Sequence, residues 1–401
     1  MPDFSTVQIK TPEISDGLGL YVHIPFCFSK CNYCDFNTYA GIENQFTSIT
    51  NALVSELNYW GEVLQRPKIN TVFLGGGTPS YLPDKQKTLI FEAINSKFNL
   101  DNDVEITMEC NPDDITPSRL DHWISLGINR LSLGVQSFDE TILQSIDRRH
   151  TGEDALKAIE CSKNSGVDNI NIDLMFGLPN QELSDWVKTI KLALETNVSH
   201  FSIYGLQLEN GTPLEASVLA GKISTPGNES MADMYETACD IFENTNYKQY
   251  EISNWSLEGK QCKHNLLYWE NKSYIGCGPG ASSYVNGVRF TNIKSPKGYV
   301  KAIKKTKPND SDIFRSEAIF ELEPQTVPIA VLETMMLGLR LNEGISDNQF
   351  RKKLGTSMFT VFEKEIRELV ESGLITKNDR CLKLTRRGQL LANEVISKFV
   401  V

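Results

Sequence analysis

Three cysteines, Cys27, Cys31 and Cys34, stand within eight residues in the spacing CxxxCxxC, directly after the apolar run Tyr21-Val22-His23-Ile24-Pro25-Phe26. Thiolates are the ligands of iron-sulfur clusters, and three of them this close together reach one cluster while leaving one iron without a protein ligand. A structural zinc site is closed by a fourth Cys or His. His23 lies inside the apolar run, away from zinc-finger spacing, so on these residues alone a cluster and a zinc ion both remain open.

Further along, polar or glycine residues occupy the points where the chain leaves an apolar run: Gly75 to Gly77, Glu109, Gln136, Asp173 and Glu209. A backbone without Cβ admits a ligand close to its carbonyls and amides, although consecutive glycines also make a tight turn. The runs themselves, Leu20 to Ile24, Thr71 to Leu74, Val104 to Met108, Arg130 to Val135, Ile170 to Phe176 and Phe201 to Leu206, have strand length. Between them lie segments of helical spacing, such as Phe46, Ile49, Leu53, Leu57 and Trp60, or Trp186, Ile190 and Leu194. The alternation predicts a parallel α/β sheet, wrapped into an incomplete (β/α)6 barrel or opened as a doubly wound sheet. In either, the C-terminal strand ends form the working face, so the polar residues point at one site.

From about residue 215 the alternation weakens, and Gly276, Gly278 and Gly280 mark a tight loop in an aromatic-rich region. From Val327, helical segments precede Leu374-Ile375, a turn at Asn378-Asp379, the run Cys381 to Leu384 and a last helix near Thr385. This pattern predicts a winged-helix-like α+β unit. The expected division is a barrel over 1-215, a small irregular middle domain over 216-310 and the C-terminal domain over 311-401.

The 401 residues carry a net charge of -11, which disfavours bulk electrostatic capture of nucleic acid or anionic membrane. Arg351 to Leu390 holds ten Lys and Arg against five Asp and Glu, a weakly basic face that interleaved Glu363, Lys364, Glu365, Arg367 and Glu368 make a solvated helix surface instead. Six of the nine cysteines are scattered, as in a reducing compartment. Met1 to Gly19 has Asp3, Glu13 and Asp16 and no signal-peptide core. The expectation is a soluble, cytoplasmic protein.

The cysteine triplet with Tyr33 before its last member, Gly75-Gly76-Gly77-Thr78-Pro79, Glu109-Cys110-Asn111-Pro112, Gly134-Val135-Gln136-Ser137-Phe138 and Asp173 to Pro179 together resemble the radical S-adenosylmethionine (SAM) superfamily. Within it they resemble the oxygen-independent coproporphyrinogen III oxidase group, over nearly the whole chain. The resemblance implies a 4Fe-4S cluster on Cys27, Cys31 and Cys34, with SAM on its open iron. It implies SAM contacts at Tyr21, Gly76, Gly77, Thr78, Glu109, Gln136, Arg148 and Asp173. The oxidases of the group have a fourth cysteine where this chain has Phe36, and a longer extension than the 20 residues before Tyr21.

Both departures match the heme-chaperone branch of the group, as does an HNxxYW motif, here His264-Asn265-Leu266-Leu267-Tyr268-Trp269. Taken by itself that stretch reads as an ordinary core histidine with two aromatics. The resemblance implies a heme site, with His264 as iron ligand and Asn265, Tyr268 and Trp269 beside the porphyrin. Cys262 is a second candidate ligand, and Ser282 stands where relatives commonly have histidine. The function implied is binding of heme and its transfer to an acceptor such as a respiratory-chain protein. The alternative is a catalytic radical SAM enzyme acting on a porphyrinogen. Expected partners are the acceptor and an electron donor for the cluster, with peripheral membrane contact and a homodimer as further expectations and no nucleic acid.

Overall fold

The computed structural model describes residues 9, 10, 14, 17–307 and 314–400. The acidic stretch before Gly17 and the boundary expected at 310/311 lie outside them.

Six parallel strands run in sequence order: β1 (Leu18–Ile24), β2 (Lys68–Gly76), β3 (Asn99–Cys110), β4 (Arg130–Gln136), β5 (Ile170–Phe176) and β6 (His200–Gly205). Six of the seven residues of β1 are buried, as are six of β5. Burial on both faces is why these runs lack polar alternation, because crossover helices cover the sheet. The helix Phe46–Val63 returns from β1 to β2 and buries Ile49, Leu53, Leu57 and Trp60, three or four residues apart. Thr151 and Asp154 cap the helix Gly152–Asn164 reciprocally, fixing its start just beyond the loop that carries Arg148.

The barrel stays open, because β1 and β6 do not pair with each other. Beyond β6 the sheet continues antiparallel through β8 (Asn254–Ser256) to β7 (Lys248–Glu251). Beyond β1 it continues through β9 (Tyr274–Cys277), parallel to β1, and then antiparallel through β10 (Ser282–Val285), β11 (Val288–Asn292) and β12 (Ile319–Pro324). The segment after residue 215 thus differs from the irregular unit expected. Its short strands supply partners to both barrel edges, whose N–H and C=O groups would otherwise be unpaired. Strands of three to six residues are too short to show a period, which is why they read as irregular.

The C-terminal unit has its own hydrophobic core, including Ala330, Leu339, Phe350, Leu354, Phe362, Leu382 and Phe399. It is built from the helix Val327–Arg340, β13 (Ile345–Ser346), the helices Asp347–Leu354, Met358–Val361 and Glu363–Glu371, and the wing β14 (Ile375–Lys377) and β15 (Cys381–Leu384). The sheet order β13-β15-β14, all antiparallel, is winged-helix-like, as expected. Among the described residues no helix is long and apolar enough to cross a membrane.

Candidate functional site

At the C-terminal ends of β1 to β6 lies a cavity of about 670 Å³ lined by Cys27, Cys31 and Cys34 and by residues from every barrel strand or the loop that follows it. The cysteine loop is held at several points. Cys27 N–H donates to the Tyr39 carbonyl (3.0 Å) and Thr78 Oγ1 to Cys27 Sγ (3.5 Å). Leu214 N–H donates to the Asn32 carbonyl (2.9 Å), and Asn37 Nδ2 donates to the carbonyls of Pro279 (2.8 Å) and Lys294 (3.0 Å). Burial, offset by the Thr78 hydroxyl, raises the Cys27 thiol above its ordinary range.

The glycine triplet serves this loop directly. Gly77 N–H bonds the Ile24 carbonyl at 2.8 Å, and a Cβ on Gly77 would lie 2.5 Å from the Phe26 carbonyl oxygen. Gly76 has φ 110°, and its Cβ would strike the His23 ring at 2.4 Å. The bare backbone lets β2 close on the cysteine loop. Gly76 and Gly77 still line the cavity, so the turn and ligand-approach readings coexist.

Opposite stand the expected polar groups. Glu109 accepts from Gly76 N–H (3.0 Å), and burial, then the neighbouring Asp173, pushes its carboxyl up to about 8. Asp173 accepts from Asn171 Nδ2 (2.8 Å) and Ser132 Oγ (3.3 Å), and burial raises it too. Gln136 has φ 66°, a left-handed backbone unusual outside glycine, at a bulge between β4 and β5 that turns it to the cavity. Such strain is concentrated where structure serves a site. Arg148 reaches from the loop between the helices Glu140–Ser145 and Gly152–Asn164 to Cys31 Sγ (3.6 Å), Asn111 Oδ1 (2.9 Å) and the Gly134 carbonyl.

The donor set fits a cluster. In a cluster three thiolates bind three different irons, whereas zinc needs ligands converging on one ion. Among the described residues no three His, Cys, Asp or Glu side chains are arranged to hold a single ion.

The remaining expected residues divide. Thr78, Asn265, Tyr268 and Trp269 line the cavity, and Glu209 closes its rim. Tyr21 instead lines a second cavity of about 610 Å³ together with Ser282, and its hydroxyl lies 3.0 Å from His23 Nδ1. His264 lines neither. It is 1% exposed, its Nδ1 lies 2.8 Å from Thr71 Oγ1 and its Nε2 2.8 Å from Tyr268 Oη, and burial, then the charge of Arg130, pushes it down to about 3. With both nitrogens engaged it orients Tyr268 and is not presented to a ligand. Cys262 is also enclosed, with its thiol on Glu105 (3.5 Å) and pushed up to about 12 by burial.

Sequence reasoning missed Arg130, 2% exposed, whose guanidinium lines the cavity and whose Nε has no hydrogen-bond partner. The signal was present: a charged residue within a run otherwise fit for a buried parallel strand. It also missed Arg340, which comes from the C-terminal unit and stacks on Trp269 (4.7 Å).

The family model described as the radical SAM superfamily matches residues 21–193, and that of the HemN C-terminal domain matches 329–391. Over 382 residues the chain is 36% identical to the protein named heme chaperone HemW from Bacillus subtilis, covering 95% of this chain and 98% of that one. This chain belongs to the HemW family. The HemW of Lactococcus lactis is 32% identical over 381 residues, covering 95% and 97%. The solved coproporphyrinogen III oxidase HemN from Escherichia coli matches with a TM-score of 0.80 at 20% identity, covering 96% of this chain and 90% of that one. This chain and HemN thus share one fold, a radical SAM α/β sheet with a C-terminal domain.

Proposed function

We propose that this chain is a cytoplasmic heme chaperone that carries a 4Fe-4S cluster and SAM and passes heme to an acceptor protein, with a separate electron donor serving the cluster. The observation that carries the reading is a wall common to two cavities. Phe36, Tyr268 and Trp269 line both the cavity at the cysteine loop and the second cavity against the C-terminal unit. A protein that keeps one cofactor and moves another needs two adjoining seats.

Cys27, Cys31 and Cys34 would hold the cluster. Gly76, Gly77 and Thr78 offer main chain to the methionine end of SAM, while Glu109, Gln136 and Asp173 suit its ammonium and ribose hydroxyls. Arg148, which donates to Cys31 Sγ (3.6 Å), suits the carboxylate of SAM. The bound cluster supplies an electron with which SAM can be cleaved. The names of the relatives support the heme part, and so does Phe36, 64% exposed at the position of the oxidases' extra cysteine.

The test is anaerobic reconstitution with iron and sulfide followed by hemin, comparing wild type with Cys31→Ala by absorption and EPR. Stoichiometric heme in both, with the cluster absent from the variant, is expected, as is transfer from wild type to a heme-depleted respiratory enzyme. No specific heme signal in either would leave the catalytic reading, to be pursued through 5′-deoxyadenosine formation with a porphyrinogen. The intact polar set around Glu109 and Asp173 favours that second reading.

A further inference from the structure

At the start of β4 the chain buries a cation. Arg130 is 2% exposed, its Nε is enclosed, and the Nη end of its guanidinium is what the cavity behind the cysteine loop meets. Among the described residues the guanidinium forms no hydrogen bond and no ion pair. An uncompensated buried charge is strongly destabilising, so such groups are found paired.

The groups around it are already spent on one another. Glu105 accepts from the N–H groups of Lys263 (3.0 Å) and His264 (3.1 Å) and from the Cys262 thiol (3.5 Å). Asp173 is engaged by Asn171 and Ser132. Cys262, pushed up to about 12 by burial, and Tyr250, raised by burial as well, stay uncharged at neutral pH. His200 lies between Asn171 Oδ1 (2.6 Å) and Tyr250 Oη (2.8 Å), and burial, then the Arg130 charge, lowers it. His264 is held in the same way by Thr71 and Tyr268. What is left to the guanidinium is the side toward the cavity.

SAM, as placed above, does not fill that side. Its carboxylate belongs with Arg148 beside Cys31, at the end of the barrel where Gln136 closes β4. Arg130 begins the same strand, and at about 3.3 Å per residue the two strand ends lie roughly 20 Å apart. Beside Arg130 the cavity is walled by short polar side chains that bond each other, Asn171 Nδ2 donating to Ser132 Oγ (2.7 Å) and Ser202 Oγ to Asn171 Oδ1 (3.1 Å). Arg340 brings a second guanidinium from the C-terminal unit. Of the acids facing this cavity, burial raises Glu109 to about 8 and also raises Asp173 and Glu251, while Asp113 is paired with Arg149. Asp35, Asp147 and Glu209 stand at its mouth.

We propose that the base of this cavity is a separate seat for a small organic carboxylate, whose oxygens accept from the two Nη groups of Arg130 in the fork geometry that guanidinium and carboxylate share. The inference rests on the SAM placement above and adds a further ligand to the chain. It is independent of where heme binds.

The test uses the full chain with its cluster reconstituted and SAM at saturation, and succinate beside succinamide, its neutral counterpart, at equal ionic strength. Succinate should raise the urea midpoint of wild type, and succinamide should leave it unchanged. Calorimetric titration should show one succinate per chain, weakened at least tenfold in Arg130→Met and partly recovered in Arg130→Lys, with cluster absorption retained in both as proof of folding. Without succinate, Arg130→Met should unfold at higher urea than wild type, because the substitution removes an unpaired buried charge. A guanidinium that served only to pack the strand would give the opposite sign. SAM affinity within twofold of wild type is expected in Arg130→Met, and a tenfold loss there would assign Arg130 to SAM and overturn the separate seat. No succinate-specific shift in wild type, with SAM bound, would overturn the seat while leaving the SAM placement. Absence of SAM binding to wild type would overturn the placement on which the seat rests.

Discussion

Single atoms decide much of the chemistry at the cysteine loop. Gly77→Ala would drive a methyl into the Phe26 carbonyl, backbone that cannot yield as a side-chain tip can. Overpacking of this kind costs about 1 to 3 kcal/mol, so the variant should unfold at lower denaturant and lose the cluster faster to a chelator. A second prediction concerns Glu56, buried in the helix Phe46–Val63, which accepts from Gly278 N–H (2.7 Å), Asn292 Nδ2 (2.7 Å) and Tyr299 Oη (2.6 Å). Burial outweighs these bonds and pushes its carboxyl up to about 7 from 4.5. The folded state then holds the proton more tightly than the unfolded one, so this contribution to stability is complete below about pH 4.5 and is lost as pH rises toward 7. The loss is on the order of 3 kcal/mol, and Glu56→Gln should flatten the stability profile across that window, measured by urea denaturation at a series of pH values.

Between elements, the informative contact is Asn37, which ties the cysteine loop to Pro279 in the turn after β9 and to Lys294 after β11. Asn37→Ala removes both tethers, and cluster loss to a chelator should accelerate several-fold while the urea midpoint moves little. The barrel strands were legible in the sequence because each is a long apolar run that stops at a polar residue. The wing was legible because a turn separates two short runs before a final helix, and Thr385 does cap that helix. The edge strands β7 to β12 were not, since three to six residues show no period and their pairing is decided by the open barrel edges. Gln136 was found because it ends β4, Glu109 because it lies one residue from the end of β3 and Cys27 because it follows β1, whereas Asp173, expected at a strand end, sits in the middle of β5 and was legible as a charge within an apolar run. Arg130 was not, because it begins one, and the burial of His264 depends on Thr71 and Tyr268 closing on it from two separate elements.

At the scale of the molecule the barrel core and the C-terminal core are distinct, and they should fail separately. Leu354, fully buried, belongs to the C-terminal core and not to the barrel core. Leu354→Ala should cost about 2 to 5 kcal/mol, appearing as faster amide exchange in residues 330–399 with the cluster spectrum unchanged. Three of that unit's basic residues are ion-paired, Arg351 with Asp347, Lys364 with Glu368 and Arg386 with Asp240, and Glu363, Glu365 and Glu371 interleave with the others. Consistent with a solvated surface, duplex DNA should fail to be retained even at low ionic strength, as read by fluorescence anisotropy.

The wall of Phe36, Tyr268 and Trp269 has a thermodynamic corollary. With SAM and heme on its two sides, as proposed, such a partition would make the two occupancies mutually dependent, and equilibrium linkage requires any such dependence to be symmetric. Whatever factor SAM imposes on heme affinity, heme must impose on SAM. A chaperone so built would release its cargo when the content of the neighbouring chamber changes, without a signal from outside.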